Sequence, residues 1–159
     1  MDINIRMICE KDYKKVEELL VGICRQHALG RNDILVDSGA KYDTDDIAKI
    51  AACIYTPILI AENEKGEAVG YAFCELRDYP ESGARKAYRC MYIDDFCIDG
   101  KYRKQGIGRR LIEAVKELAK KEGCYNIELN VWEFNENAIH FYKKCGLGTQ
   151  RRQMELILD

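Results

Sequence analysis

In four parts of the chain apolar residues recur every three or four positions, and this spacing predicts helices. The predicted helices cover residues 12–27, 45–54, 107–119 and 135–144. Asn135 is a suitable N-cap for the fourth helix, because its side chain can accept a hydrogen bond from a free amide of the first turn. Gly123 and Gly146 follow the third and fourth helices, at positions where glycine commonly ends a helix.

Between the helices, short apolar runs and alternating apolar and polar residues predict strands. The predicted strands cover residues 3–8, 58–61, 69–74, 87–98, 127–131 and 154–158, and the predicted loops cover 31–44, 63–66 and 78–83. The order is strand, helix, helix, three strands, helix, strand, helix and strand. It predicts an α/β domain with a largely antiparallel sheet, because strands joined by short connections pair antiparallel.

The composition is that of an ordinary globular protein, with 47% apolar and 33% charged residues among 159. This length predicts one domain over residues 1–159. The net charge of −2 argues against a general nucleic-acid or anionic-membrane binder, since such proteins present a broadly basic face. No apolar run approaches the roughly 18 residues of a membrane span, and the N-terminus lacks a signal-peptide core. We therefore expect a soluble protein.

Eight cysteines raise the question of disulfides or a zinc site. They are widely spaced, form no C-x-x-C pair, and are accompanied by only two histidines, so the sequence predicts no metal site. Each cysteine falls in or beside an apolar segment, where free cysteine packs as a small hydrophobic residue. The sequence therefore predicts buried, reduced cysteines and a cytoplasmic location.

A cluster of positive charge lies between the fourth predicted strand and the third helix, in the stretch YRKQGIGRRL at 102–111. Its basic residues are Arg103, Lys104, Arg109 and Arg110, with two glycines between them. The first N–H groups of a helix lack backbone partners, and the helix dipole adds positive charge there, so this arrangement predicts an anion site. A solvated helix start explains the cluster less well, because cations at a helix N-terminus oppose the dipole.

Known phosphate-binding patterns narrow the interpretation of this stretch. It contains no G-x-x-x-x-G-K-[S/T], which excludes a Walker loop. The dinucleotide fingerprint G-x-G-x-x-G fails at its third glycine, where this chain has Leu111. The remaining pattern is Arg103-x-x-Gly106-x-Gly108, directly before a helix.

This R-x-x-G-x-G pattern resembles the pyrophosphate-binding motif of the GCN5-related N-acetyltransferase (GNAT) superfamily. Residues 135–146 resemble the family's other cofactor motif, N-x-x-A-x-x-x-Y-e-k-x-G-F, through Asn135, Ala138, Tyr142 and Gly146. Leu147 departs from this pattern, which prefers phenylalanine there. The two segments have the family's order and separation, and the predicted elements agree with the family along nearly the whole chain.

The resemblance implies a GNAT fold of the α+β type, with a mixed, mostly antiparallel twisted sheet of about six to seven strands and about four flanking helices. It implies acetyl-CoA as cosubstrate, no metal, and the amine of a small molecule or peptide as direct nucleophile in a ternary complex. The residues it assigns to acetyl-CoA binding are Phe96, Cys97, Ile98, Arg103, Lys104, Gln105, Gly106, Ile107, Gly108, Arg109, Asn135 and Tyr142. The alternative is a non-catalytic acyl-CoA-binding or regulatory domain.

The reaction needs a base, because an alkylamine is almost fully protonated at neutral pH. The resemblance implies a base near the position four residues before Ile98, which is Asp94. Strict alternation would place Asp94 on the face of Phe96 and Ile98, and Asp95 on the other, whereas a β-bulge would change this assignment. Tyr142 is expected to protonate or hydrogen-bond the leaving thiolate, although its spacing alone is more typical of a core tyrosine.

Other assignments stay open at this level. His27 continues the apolar stripe of the first helix, so a packing role is favoured over a substrate contact. Glu128 and Glu133 are reserve candidates for binding a cationic amine, with surface roles favoured. Cys97 is expected to pack rather than to react. No motif determines the acceptor or the oligomeric state, for which a homodimer is one possibility.

Overall fold

The computed structural model describes residues 2–158, which form a five-stranded sheet and four α-helices. The strands are β1 (Asn4–Met7), β2 (Ile58–Glu62), β3 (Ala68–Tyr79), β4 (Tyr88–Ile98) and β5 (Asn126–Leu129). The helices are α1 (Tyr13–Gly30), α2 (Thr44–Ala52), α3 (Ile107–Lys121) and α4 (Glu136–Lys144). Short 3₁₀ turns precede α1 at Glu10–Asp12 and α3 at Gly100–Tyr102.

The sheet has the order β1-β2-β3-β4-β5, and its strands are antiparallel except for the parallel pair β4 and β5. The prediction of a mixed, mostly antiparallel sheet is thus confirmed. Residues of β3 alternate between the faces: Tyr71 and Phe73 pack on the α1 and α2 side, while Ala72 and Cys74 pack on the α3 side. The sheet is therefore covered by helices on both faces.

The third helix follows its predicted apolar stripe closely. The stripe residues are all at most 4% exposed against the sheet, and they are Ile107, Leu111, Ile112, Val115 and Ala119. Its opposite face carries the basic residues of the helix start and Lys120 and Lys121 of the last turn. Among residues 2–158, no helix is long and apolar enough to cross a membrane.

Two predicted boundaries are wrong. Residues 154–158 are not a strand, so the sheet has fewer strands than the six to seven expected. The predicted polar loop at 78–83 begins too early, because β3 continues to Tyr79, which pairs with Tyr88. Side chains also link these ends of β3 and β4. Asp78 accepts two hydrogen bonds from Arg89, one of them at 2.7 Å from Nε.

The cysteines are less uniformly buried than predicted. Four are buried, at positions 74, 90, 97 and 145, and two are half-buried, at 24 and 124. The prediction is wrong for Cys9 and Cys53, which are exposed. Both lie at the ends of elements, next to β1 and α2, where an apolar neighbourhood in the sequence does not imply burial in the fold.

Candidate active site

The fourth strand contains a β-bulge where the two aspartates lie. β3 and β4 pair with Cys74 opposite Ile93 and with Phe73 opposite Asp95, so Asp94 is the extra residue. An extra residue reverses the alternation of faces for every residue that follows it.

Core packing shows the reversal directly. Met91 and Ile93 pack on the α3 side before the bulge, and Phe96 and Ile98 pack on that side after it. Asp94 contacts the loop before α2, on the opposite side of the sheet from Phe96. The predicted alternation, which placed Asp94 on the face of Phe96 and Ile98, is therefore wrong.

Beyond the bulge, one edge of β4 is open. β5 pairs with β4 only from Cys90 to Ile93. From Asp94 to Ile98, β4 has no strand partner on this side within residues 2–158. The backbone groups of this edge are available to an extended ligand with amide groups, which fits the pantetheine arm of acetyl-CoA.

The turn between β4 and α3 presents free amides. Gly106 is the N-cap of α3 and adopts a left-handed conformation with φ 81°, which glycine tolerates at little cost. Lys104 is also left-handed, with φ 61°. The Arg110 N–H donates to the Gly106 carbonyl at 3.1 Å, so the N–H groups of residues 107–109 precede the first helical hydrogen bond. Free amides at a helix start are the groups that the predicted anion site requires.

Gly108 lies where the two sequence motifs pack against each other. A Cβ atom at this position would lie 3.0 Å from Phe141 Cζ and 3.6 Å from Ile98 Cγ1. Phe141 belongs to α4, so α3 and α4 approach each other closely only because residue 108 has no side chain. The glycine therefore has a packing reason in addition to any contact with a phosphate.

The four cations of this stretch have different surroundings. Arg103 donates from Nε to the Ile98 carbonyl at 3.0 Å, at the end of the open edge. Arg110 turns away and donates to the Ile3 carbonyl, so it links α3 to the start of the chain. Lys104 and Arg109 are exposed beside the free amides. Arg110 is thus engaged elsewhere, and the assignment of Arg103, Lys104 and Arg109 to one anion site stays a prediction.

Asp94 lies in a polar cluster with the loop that precedes α2. Its carboxylate accepts a hydrogen bond from the Tyr42 hydroxyl at 2.6 Å and lies 3.0 Å from Lys41 Nζ. The ammonium of Lys41 also donates to the backbone carbonyl of Asp94 at 3.3 Å and lies 4.0 Å from the carboxylate of Asp95. Burial and the hydrogen bond to Asp94 raise the pKa of Tyr42, so its hydroxyl stays protonated.

Asp95 is more deeply buried, with 9% of its side chain exposed. It accepts a hydrogen bond from the Tyr71 hydroxyl at 2.9 Å. Burial raises the pKa of Asp95, although Lys41 and the Tyr71 hydrogen bond oppose the increase. Burial lowers the pKa of His27, and the charge of the Asp95 carboxylate opposes this decrease.

Tyr142 lies on the other face, in an aromatic group beside the open edge. Its ring packs against Phe96 at 6.1 Å and Phe141 at 5.2 Å between centroids. Its hydroxyl has no hydrogen-bond partner among the described residues. Burial, followed by the charge of Asp95, raises the pKa of Tyr142. The hydroxyl is therefore a protonated donor without a protein acceptor.

Three further predicted residues have clear structural surroundings. The side chain of Asn135 caps α4 by accepting from the Ala138 N–H at 3.2 Å, as predicted. Gln105 donates to the Lys101 carbonyl at 3.3 Å. Cys97 is buried, and burial raises the pKa of its thiol to about 11, which agrees with packing rather than reaction. In residues 2–158 no group of three His, Cys, Asp or Glu side chains could hold a metal.

The two reserve carboxylates lie on β5 and on the segment that follows it. Glu128 of β5 is opposite Tyr92 and accepts from Asn126, Gln150 and Tyr88. Burial raises the pKa of Glu128, but these hydrogen bonds outweigh it and lower the net value. Glu133 is exposed on the segment after β5.

The sequence did not identify the residues that contact the two aspartates. Lys41 and Tyr42 belong to a segment without periodicity, and Tyr71 looks like an ordinary strand residue. The signal that could have found them is the pair of aspartates inside a strand, because buried carboxylates require donors from neighbouring elements. For His27, which is half-buried in α1, the packing role stays a prediction.

Known proteins are similar to this chain in fold or in sequence. The tetramutant of the BH1408 protein from Bacillus halodurans superposes with a TM-score of 0.93 and 28% identity, covering 98% of this chain and 99% of that one. The glucosamine 6-phosphate N-acetyltransferase of Trypanosoma brucei brucei is 27% identical over 158 residues, which is 99% of this chain and 97% of that relative.

A shorter match and a family model concern the same kind of enzyme. The spermine/spermidine N(1)-acetyltransferase of Bacillus subtilis is 31% identical over 83 residues, about half of each chain. The family model described as "Acetyltransferase (GNAT) family" matches residues 31–147, well over half of the sequence. The chain therefore belongs to the acetyltransferase (GNAT) family and is an acyl-CoA-dependent N-acetyltransferase.

Proposed function

We propose that the protein transfers the acetyl group of acetyl-CoA to a primary amine of a small molecule, and that the bulge in β4 is where the two substrates meet. The observation that supports this is the arrangement around Asp94. The bulge opens one backbone edge toward Tyr142 and α3, and it places both carboxylates on the opposite face, beside Lys41.

The residues around the open edge fit the cosubstrate. The free amides of residues 107–109, with Lys104, Arg109 and Arg103, would hold the pyrophosphate, and the β4 edge up to Ile98 would pair with the pantetheine arm. When bound, acetyl-CoA supplies an activated thioester. A backbone N–H at the bulge can polarise the thioester carbonyl, as an oxyanion-hole donor does.

The carboxylate cluster fits the acceptor. Lys41 Nζ lies within 4.0 Å of both aspartates and donates to the Asp94 carbonyl, so this position stabilises an ammonium. An incoming amine needs the same environment, followed by loss of a proton. Asp94 is the more accessible carboxylate, at 26% exposed, and is our candidate to accept that proton directly or through water.

Tyr142 fits the role of proton donor to the leaving thiolate. Its hydroxyl is protonated at neutral pH and has no acceptor within the described residues. It lies beside Phe96, on the face of the strand away from the carboxylates. Donation to the departing thiolate would therefore not compete with proton removal from the amine.

The test is thiol release from acetyl-CoA in the presence of a panel of primary amines, with calorimetry of acetyl-CoA alone. We expect release that depends on the amine, with an acetylated amine identified by mass spectrometry. Binding of acetyl-CoA without release for any amine would support the non-catalytic alternative instead. Absence of binding would contradict the assignment of the site.

Substitution of Lys41 tests whether the acceptor is wholly cationic or carries an anionic group. Glucosamine 6-phosphate carries a phosphate, whereas spermidine is wholly cationic, and related acetyltransferases are named for each. Lys41→Met should lower KM for a cationic acceptor, because its ammonium competes for the carboxylates. It should raise KM if the acceptor carries an anionic group that pairs with Lys41. Lys49→Met, on the exposed face of α2, is the control.

We also propose a cytoplasmic location. All eight cysteines are free, and Cys9 and Cys53 are exposed as thiols. Exposed free thiols are compatible with a reducing compartment.

A further inference from the structure

Lys41 carries a primary amine that already lies against our candidate base. Its Nζ atom is 3.0 Å from Oδ1 of Asp94, 3.3 Å from the Asp94 backbone carbonyl and 4.0 Å from Oδ2 of Asp95. The two carboxylate oxygens of Asp94 have different partners, because Oδ2 accepts from the Tyr42 hydroxyl and Oδ1 faces Lys41. The protein thus holds an alkylammonium of its own in the environment that an acceptor amine needs.

The position of this ammonium along β4 is equally specific. Asp94 is the extra residue of the bulge, and β5 pairs with β4 only as far as Ile93. Nζ of Lys41 therefore lies against the first residue of the open edge, where we propose that a backbone N–H polarises the thioester carbonyl. An amine attacks a carbonyl carbon from a distance of about 3–3.5 Å. Small movements of the lysine side chain are enough to reach such a distance.

The lysine has the freedom for these movements. Its side chain is 39% exposed, and residues 31–43, the segment between α1 and α2, form no helix or strand. The four-carbon stem of a lysine is flexible, so Nζ can shift while the backbone stays in place. An ammonium has no lone pair for attack, and Asp94 is in contact with Nζ to accept the proton that must leave first.

We propose that the enzyme acetylates itself at Lys41, an inference that rests on the proposed function. Nζ gives one proton to Asp94, attacks the thioester carbon, and releases a second proton to water once the Nζ–C bond has formed. The C–S bond breaks, and the thiolate takes the proton of Tyr142, which recovers it from water. The products are acetyl-lysine at position 41 and CoA with a free thiol.

This modification competes with the acetylation of an added amine. Both amines need Asp94 and the same thioester, so an acceptor in the site prevents the attack by Lys41. Acetyl-lysine therefore accumulates when acetyl-CoA is present and the acceptor is scarce. The modification also ends the ion pair with Asp94, because an amide nitrogen carries no charge.

The test incubates the protein with acetyl-CoA alone and follows the mass of the intact chain and of its peptides. Lys11 is the internal control, because its Nζ is 2.7 Å from Glu62 and 3.2 Å from the Gly66 carbonyl, so it is paired with a carboxylate but away from β4. Lys41→Arg keeps the charge and removes the amine. Lys49→Arg makes the same change on the exposed face of α2.

We expect one acetyl group per chain, on Lys41, with a rate constant that does not depend on protein concentration, because the attack occurs within one copy. Lys41→Arg should abolish the modification, Asp94→Asn should slow it about 10²-fold or more, and Lys49→Arg should match the parent. An unmodified Lys41 would overturn the proposal. So would equal modification of Lys41 and Lys11, or a rate constant that rises in proportion to protein concentration.

The amine panel and the calorimetry distinguish this proposal from the proposed function. An added amine that is acetylated, with Lys41 unmodified when no amine is added, would overturn only the self-acetylation. Absence of acetyl-CoA binding would overturn both, since no donor then reaches Lys41. An added acceptor should slow the modification of Lys41, and an unchanged rate would overturn the shared position on which the proposal depends.

Discussion

Asp94 and Asp95 are neighbours in the sequence but differ in chemistry, because the bulge gives them different partners. Asp94 is 26% exposed and is held by Tyr42 and Lys41, whereas Asp95 is 9% exposed and is held by Tyr71. A carboxylate that must exchange protons with a substrate needs access as well as basicity. This favours Asp94 as the proton acceptor and Asp95 as a buried charge that shapes the cluster.

If Asp94 accepts the proton of the amine, Asp94→Asn keeps the shape of the side chain and removes its basicity. Its kcat/KM should fall most near neutral pH and recover as pH rises, because more of the amine is then already free. Asp95→Asn is the matched control and should not show this recovery. Parent-like pH–rate profiles for both variants would leave solvent as the base.

Asp95→Asn also tests the energetics of the buried charge. Burial raises the pKa of Asp95 in the folded state, so folding favours its protonated form, and stability falls as pH rises through that pKa. Asparagine has no such penalty and can still accept from Tyr71. We expect the variant to be more stable than the parent at pH 8, by about 1.4 kcal/mol for each unit of the shift.

This difference in stability should shrink as pH falls toward about 4, which is the pKa of an aspartate in the unfolded chain. Below that pH the carboxyl group is neutral in both the folded and the unfolded state. Chemical denaturation of both proteins across this range measures the difference. Taking the difference between the two proteins cancels the titration of all other groups. A difference that does not change with pH would show that the pKa of Asp95 is not raised.

Tyr142 has an unpartnered hydroxyl in an aromatic surrounding, which suits a proton donor more than a core residue. Tyr142→Phe keeps the ring packing, so acetyl-CoA affinity measured by calorimetry should change little. The value of kcat should fall by about 10² or more, the usual contribution of a general acid. Tyr125→Phe, at a residue that is 82% exposed, is the control. Full kcat in the Tyr142 variant would return this residue to a packing role.

At the scale of elements, we expect the start of α3 to set the affinity for acetyl-CoA. Its free amides and the exposed side chains of Lys104 and Arg109 lie together, whereas Arg110 is committed to the Ile3 carbonyl. Lys104→Glu and Arg109→Glu should each weaken acetyl-CoA binding about tenfold or more, with a steeper loss at low salt where charges are screened less.

The matched control is Lys121→Glu, which makes the same charge change at the other end of α3. Isothermal titration with acetyl-CoA, at low and at physiological salt, measures all three variants. Equal affinities for parent and both α3-start variants would show that the anion lies elsewhere. Gly108 is a poorer test, because a side chain there also meets Phe141 of α4.

At the scale of the molecule, the loss of pairing between β4 and β5 leaves a weak point in the sheet. The strands separate after Ile93 and Leu129, and acetyl-CoA would bridge the two sides from the β4 edge to α4. At a concentration 100-fold above its dissociation constant, it should stabilise the folded state by about 2.7 kcal/mol. Thermal unfolding with and without acetyl-CoA measures this. An unchanged Tm at that concentration would contradict binding to the folded chain.

Much of the fold could be predicted from the sequence because its elements are set by local periodicity. The stripe from Ile107 to Ala119 and the cap at Asn135 appear in the structure as predicted. The turn at Gly106 before α3 could also be predicted, because a short stretch of chain determines its backbone. The strand predicted at 154–158 is absent, because a strand also needs a neighbouring strand to pair with, and none pairs with these residues within 2–158.

The sequence by itself determined the helices, the glycine turn before α3 and the motifs of the family resemblance, since each depends on residues close together along the chain. Only the tertiary structure decided which way Asp94 faces. One extra residue in β4 changes that direction, and its position depends on the register with β3, which is a contact between residues about 20 apart. The tertiary structure also brings Lys41 and Tyr42 to the carboxylates. In the sequence they lie about 50 residues before Asp94, in a loop without any periodic pattern.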